Sequence, residues 1–362
     1  MTERKTNQNK NIPNVKTFIV PYKFEDFKDA ISIHTNTNYQ LSKERIINQA
    51  LKFHAKEDIK EAIKYYQYFI NQGFENHQVF SNYGVILEDL GNLKEAEILY
   101  RKAIKIKPDF AEAHSNLGNM LRGVGKLKEA ELFTRKAIKL NPKFANAYSN
   151  LGNIMSDIGN LIEAESCHRK AIEFKPDCTE TLSNLGNVLR DLGKLKESEI
   201  FSRKAIKLNP DFADAHTNLG NTLRCLENFK ESERCHRKAI KLNPNSYHAY
   251  SNLGNTFSDM GNLKEAERYH RKAIELYPDC AEANSNLGSI LRYLGKIKDS
   301  LTLSKSILES KSISQGYKLL ASLQITIANL LQNNFPETLS SINYTNDLIK
   351  QGAINSIKNK KN

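Results

Sequence analysis

The sequence has no long apolar run. Its longest, such as Phe18-Ile19-Val20 and Leu330-Leu331, last only a few residues, whereas a helix that crosses a membrane needs about 20. Cysteine is scarce: there are five, an odd count, and the first 20 residues are rich in Lys and Asn, with no apolar stretch of a secretion signal. A disulfide-stapled secreted scaffold is thereby excluded, and the expected location is the reducing cytoplasm. The sequon Asn343-Tyr344-Thr345 carries no weight without a secretory route. The 17 Gly and 9 Pro follow no collagen or mucin pattern, and hydrophobic residues reach 40%, enough for a core and too many for wholesale disorder.

An internal repeat decides the architecture. Shifting the 362-residue chain against itself by 34 residues lays 111–144 (AEAHSNLGNMLRGVGKLKEAELFTRKAIKLNPKF) onto 145–178, then 179–212, 213–246 and 247–280; 77–110 precedes this run and 281–314 follows it. Seven copies result. One period upstream, 43–76 keeps Ala62 where later copies have Ala96 and Ala130, and reads as a degenerate eighth copy. A period of this size signals stacked supersecondary units and not one closed globule.

Each copy reads as two amphipathic helices. Ala113, Leu117 and Leu121 fall at four-residue spacing, and Leu127, Ala130, Phe133, Ala137 and Ile138 continue at three- and four-residue spacing, the period of a helix face. Gly125-Lys126 separates the two helices and Asn141-Pro142 ends the second, because Pro cannot donate to the ladder and biases its predecessor away from helix. Asp109, with Glu112 three residues on, has the spacing of a capping box for the next helix. Gly84, Gly118, Gly152, Gly186, Gly220, Gly254 and Gly288 recur in the first helix, and Ala96, Ala130, Ala164 and Ala266 in the second. A glycine inside a helix costs about 1 kcal/mol against Ala, so its retention in seven copies predicts close helix–helix approach.

These residues resemble the tetratricopeptide repeat family, whose pattern appears in the first full copy as Phe80, Tyr83-Gly84, Leu87, Ala96, Tyr100, Ala103 and Pro108. The resemblance covers 43–314 and implies an all-α, right-handed superhelical solenoid of helix-turn-helix repeats, with the first helices lining a concave groove. Ser312 stands where the last copy should have Pro, and Phe69 and Phe74 replace the late Ala and Pro of the degenerate copy, so the helix boundaries of both end units are open. Residues 1–42 are polar, with Asn/Thr tracts and a sticky patch from Phe18 to Phe27, and are expected to be mostly disordered. In 315–362 a stripe of Tyr317, Leu320, Ile327 and Leu331, preceded by Ile313, marks one helix. Pro336-Glu337 opens a second that Gly352 can close. This pair is expected to cap the stack with a polar outer face and to end in a fraying Lys/Asn tail from Asn355.

No set of unlike, convergent residues suggests catalysis, and there is no phosphate-binding loop; no enzyme activity, cofactor or metal is expected. Cys167-His168 and Cys235-His236 occupy the same place in two copies 68 residues apart, which favours small core residues over metal ligands. The net charge of +12 divides as +2 for 1–42, +7 for 43–314 and +3 for the remainder. That is about one charge per repeat. Arg135-Lys136, Arg169-Lys170 and Arg203-Lys204 read as a solvated convex face, Arg135 paired with Glu131 one turn earlier. The uniform groove argues against base-by-base RNA reading.

The informative feature is a column of amides. Asn82, Asn116, Asn150, Asn184, Asn218, Asn252 and Asn286 recur at the sixth position of the copies. Asn119, Asn153, Asn187, Asn221 and Asn255 follow three residues later on the same face. By resemblance to the family these face the groove, where each amide offers a donor and an acceptor to the backbone of an extended peptide. Ser at the fifth position and Arg122, Arg190, Arg224 and Arg292 are expected to add polar contacts. The column is similar to that of the O-GlcNAc transferase tetratricopeptide domain, whose units share the run seen here at His114 to Leu117. The expected function is a non-catalytic scaffold holding a peptide segment of a partner protein. Two alternatives stand beside it. One is a substrate-recruiting partner of a glycosyltransferase or other transferase whose catalytic domain lies on another chain. The other is self-association through Tyr65, Tyr66, Tyr68 and Phe69 of the degenerate copy. A duplication relic would leave the same Asn column with no use.

Overall fold

The computed structural model of the chain describes residues 42–310 and 314–359, with side chains through residue 350. The patch from Phe18 to Phe27, Ser312 and Ile313 lie outside the described residues. Among the described residues every regular element is a helix. The seven full copies supply α3 (His77–Asp89) and α4 (Leu93–Ile106), α5 (Ala111–Gly123) and α6 (Leu127–Leu140), α7 (Ala145–Ile158) and α8 (Leu161–Phe174), α9 (Thr179–Asp191) and α10 (Leu195–Leu208), α11 (Ala213–Cys225) and α12 (Phe229–Leu242), α13 (Tyr247–Asp259) and α14 (Leu263–Leu276), and α15 (Ala281–Tyr293) and α16 (Ile297–Glu309). The stretch read as degenerate forms α1 (Lys43–Ala55) and α2 (Ile59–Asn71). After the copies come α17 (Gln315–Leu331) and α18 (Phe335–Asn359). The fold is an all-α solenoid of helix-turn-helix repeats. Backbone contacts divide it after Val188 into two compact units.

The turn inside each copy is built by a glycine where the chain must leave the helix in a left-handed conformation: Gly91, Gly125, Gly159, Gly193, Gly261 and Gly295 all have positive φ, which glycine adopts at no steric cost. In the fifth copy Glu227 takes the same conformation at φ 59°.

The mid-helix glycines are explained by contact. A Cβ at Gly84 would lie 2.8 Å from the Tyr100 ring, at Gly118 2.2 Å from Thr134 Oγ1, and at Gly220 2.5 Å from His236 Cε1. Ala96, Ala130, Ala164 and Ala266 are all fully buried. Where a copy has Ser instead, the hydroxyl bridges the two helices: Ser232 donates to the Gly220 carbonyl and Ser300 to that of Gly288, both at 2.8 Å.

Four expectations need correction. Asp109 does not cap α5; the N-cap is Phe110, with no side-chain cap bond, because Phe110 is held in the core edge-on to His77 at 4.7 Å. Side-chain caps come instead from Ser42, Asp58, Asn76, Asn160, Ser246 and Asn262. Gly352 does not close α18, which continues to Asn359 through the residues expected to fray; a lone glycine costs too little to stop an established helix. In α17 the stripe points the other way: Leu320, Ile327 and Leu331 are exposed, and Ala321, Ser322, Gln324, Ile325, Ala328 and Asn329 are buried. Lastly, the outer face of the terminal pair is not polar, since Leu323, Leu330, Phe335 and Leu339 are also exposed. Gln324 explains the rotation. Its Oε1 sits where a Cβ at Gly288 would be 2.6 Å away, accepting from Ser304 at 3.0 Å while Nε2 donates to the Ser285 carbonyl at 2.9 Å. A polar plug fits this seam and a Leu would not.

Candidate functional site

Within each unit the first helices of successive copies touch, α3 on α5 and α5 on α7 in one, α11 on α13 and α13 on α15 in the other. The second helices make no comparable approach among the described residues. Each stack therefore bends toward its first-helix side, and residues at the sixth, ninth and twelfth positions line the inner face.

The amides of that face are largely sunk into it. Asn82, Asn116, Asn119, Asn150 and Asn153 are buried, while Asn184, Asn187, Asn218, Asn221, Asn252, Asn255 and Asn286 are half-buried. They bind across copies. Asn184 Nδ2 donates to Asn153 Oδ1 at 2.9 Å and Asn286 Nδ2 to Asn255 Oδ1 at 2.8 Å, sixth position to ninth. Asn150 donates to Ser115 at 3.1 Å, and Asn255 contacts Glu282 at 3.4 Å. An amide pair uses one donor and one acceptor, so each member keeps further hydrogen-bonding capacity. The fifth-position serines are a correction: Ser81, Ser115, Ser183 and Ser251 are buried, facing the seam between first helices and not the open face.

The arginines meet partners that the sequence reading missed. Arg122 binds Asp157 at 2.6 Å and Arg224 binds Asp259 at 2.7 Å, each reaching 35 residues ahead to the next copy. Arg190 pairs with its neighbour Asp191 at 2.6 Å, and Arg292 lies over the Tyr293 ring. The missed signal was visible as an exchange: copies with Arg at the twelfth position and no Asp at the thirteenth are followed by copies with Ser and Asp there. Glu88 takes the twelfth position in the first copy. Burial pushes its carboxyl up to about 7, against hydrogen bonds from Tyr100 at 2.8 Å and Asn119 at 3.5 Å.

Beneath the inner face lies the twenty-fourth position, occupied by Tyr100, Thr134, His168, Ser202, His236, His270 and Ser304, all fully buried or nearly so. Burial lowers the imidazoles to about 3 in His168, about 3 in His236 and about 4 in His270, with Arg122 and Arg224 adding to the first two. The adjacent Cys167 and Cys235 are buried, and their thiols are pushed up to about 11. Among the described residues no three His, Cys, Asp or Glu side chains gather as a metal site would require.

The outer face is a lattice of ion pairs. Arg135 binds Glu131 of its own helix at 2.9 Å and Glu163 of the next copy at 2.7 Å, and Arg203 repeats this with Glu199 and Glu231. Exposed pairs of this kind contribute only tenths of a kcal/mol each. Of the aromatics suggested for self-association, Tyr66 and Phe69 are fully buried and Tyr65 stacks on Phe53 at 5.5 Å, leaving Tyr68 exposed.

Tetratricopeptide repeat family models match residues 111–144, 133–166, 179–212 and 211–279, and a TPR repeat model matches 84–124. Together they span just over half of the chain. This is a tetratricopeptide repeat protein. Among solved structures, a tetratricopeptide repeat protein from Parabacteroides merdae ATCC 43184 aligns with a TM-score of 0.57 at 19% identity, over 69% of this chain and 98% of the other. A chain of the APC/C hetero-tetramer Cut9-Hcn1 aligns with a TM-score of 0.63 at 14% identity, over 79% of this chain and 56% of the other. YrrB, described as a TPR protein with an unusual peptide-binding site, is 27% identical over 51% of this chain and 95% of its own, with a TM-score of 0.40. The first two carry the fold of the tetratricopeptide repeat protein described here. No curated protein matches it, and no helix among its described residues is long and apolar enough to cross a membrane.

Proposed function

We propose that this tetratricopeptide repeat protein is a non-catalytic scaffold whose inner face holds an extended segment of a partner protein. The observation that carries the reading is the cross-copy amide pairing, Asn184 to Asn153 and Asn286 to Asn255. It fixes the orientation of side chains that retain donors and acceptors, so a bound backbone would meet a pre-organised ladder and lose less entropy on the protein's side. The likeness of the column to that of the O-GlcNAc transferase repeats adds to this reading. Many modest contacts offset by ordering of the segment make micromolar affinity the expectation.

The test replaces the half-buried Asn218, Asn252 and Asn286 by Ala in the full chain, verifies the fold by its far-ultraviolet circular dichroism and melting, and compares crosslinked partners with those of wild type. Partners lost only from the variant support the groove. Identical capture by a folded variant overturns it. A glycosyltransferase among the lost partners would make the chain a recruiting adaptor for a separate enzyme.

A further inference from the structure

In the second unit the inner face carries an open pocket of about 350 Å³ with a largely polar wall. Arg224 enters it from α11, Asn255 and Asp259 from α13, and Asn286 from α15, while His270 of α14 lies at its floor. The wall is ordered by two internal bonds, Arg224 to Asp259 at 2.7 Å and Asn286 to Asn255 at 2.8 Å. His270 is fully buried, and neither of its ring nitrogens has a hydrogen-bond partner; Arg224 Nε lacks one as well. A neutral imidazole carries one N–H donor and one lone-pair acceptor. Buried polar groups are almost always hydrogen-bonded, yet none of the described residues meets these.

The first unit contains the same residue types three periods earlier, with Arg122 Nε itself on the Asp. Arg122 binds Asp157 at 2.6 Å, Asn184 donates to Asn153 at 2.9 Å, and His168 is fully buried with both nitrogens unpartnered. The amide column runs through every copy, but this combination does not. His236 occupies the equivalent buried slot, its nitrogens likewise unpartnered, in a copy that has Cys225 where the other two have Asp, so what sets the two sites apart is the Arg–Asp bridge and the amide pair over the ring.

The chemistry of the set is that of a neutral, two-way hydrogen-bonding pocket. Arg and Asp cancel each other, so an entering charge would have to break their bridge. Burial keeps the imidazoles neutral at physiological pH. The Ser258 and Ser289 hydroxyls extend the polar wall beside Ile290 and Tyr293, and a hydrocarbon side chain would leave the His270 nitrogens and Arg224 Nε unmet. A primary carboxamide presents N–H donors beside a carbonyl acceptor without charge.

We infer that each unit carries a subsite for the carboxamide side chain of an Asn or Gln in the bound segment, seated between the amide pair and the Arg–Asp bridge above the buried histidine. The inference rests on the groove reading given above and adds a side-chain preference to what is otherwise recognition of backbone.

The test uses the full chain, isotopically labelled at histidine, titrated with three ten-residue Gly/Ser peptides bearing Gln, Glu or Leu at alternate positions. The Gln peptide should bind about 3- to 10-fold more tightly than the other two, the range expected for one or two neutral hydrogen bonds. It should shift the ring nitrogen signals of His168 and His270 and leave those of His236 in place. The double variant His168→Phe, His270→Phe should fold, because Tyr100 already fills that slot with a ring, and should bind all three peptides alike. Equal binding of the three peptides by wild type, with unmoved histidine signals, overturns the subsite and leaves the groove standing. An ordered water on His270 that the Gln peptide does not displace overturns it as well. Failure of every peptide to bind overturns the groove and the subsite together.

Discussion

Gly152 faces His168 so closely that a Cβ added there would lie 2.6 Å from the imidazole Cε1 and under 3 Å from both ring nitrogens. In this copy, as in those with Tyr100, His236 and His270, glycine at the eighth position and a ring at the twenty-fourth are therefore one packing device. Gly152→Ala should destabilise the chain by about 1–3 kcal/mol through overpacking, read as a lowered urea midpoint with unchanged slope. Adding His168→Ser, the residue that Ser202 places in the same slot, should restore part of the loss. An unchanged midpoint in Gly152→Ala would remove the packing reason for the repeated column of glycines.

The buried imidazoles tie stability to pH. In His168, His236 and His270 the folded value is depressed to about 3–4 from an unfolded 6.5. As pH falls through 6.5 the unfolded chain takes up protons that the folded chain refuses, so stability is lost on acidification, down to the folded values. Each histidine should cost about 2 kcal/mol between pH 7 and pH 5. His236→Ser should flatten the acid limb of a melting-temperature profile without abolishing it, because burial also lowers His54, His77, His114 and His248. A profile that does not change shape would show that the ring is protonated, or solvated, in the fold.

Glu88 works in the opposite direction. Its carboxyl, raised by burial to about 7 from 4.5, keeps its proton in the folded chain over a range where the unfolded chain has released it, so stability falls as pH rises from 4.5 to 7. Glu88→Gln removes the ionisation and leaves an oxygen to accept from Tyr100. The variant should be more stable than wild type by about 2–3 kcal/mol at pH 8 and equal to it at pH 4, measured by denaturant unfolding at the two pH values.

The repeat period, the two helices per copy and their break points are legible in the sequence because period-34 glycines, alanines and prolines act locally, each through its own backbone or its nearest helix. What was not legible is set by contacts between copies. Asp109 has the spacing of a cap, but packing of Phe110 beside it decides where α5 begins. The amide column was visible as a list of residues, whereas the pairing of Asn184 with Asn153 depends on how far one first helix is offset from the next. Arg122 and Asp157 sit in different copies, and no within-copy pattern brings them together. The stripe of α17 failed for a related reason: hydrophobic periodicity assumes an apolar seam, and the seam over Gly288 is occupied by Gln324.

That plug gives the last prediction. Gln324 joins α17 to two earlier helices, accepting from Ser304 on α16 and donating to the Ser285 carbonyl on α15, in a seam where glycine leaves room for little else. Gln324→Ala deletes these bonds and the one to Ser289 Oγ at 3.1 Å, and leaves the buried Ser304 hydroxyl without its acceptor, an expected cost of about 1–3 kcal/mol. In a solenoid such a loss falls on the local interface and not on the whole chain. Hydrogen exchange should therefore quicken in α17 and α18 while α3 to α8 keep wild-type protection. Uniform quickening along the chain would mean that the terminal pair unfolds together with the repeats and not before them.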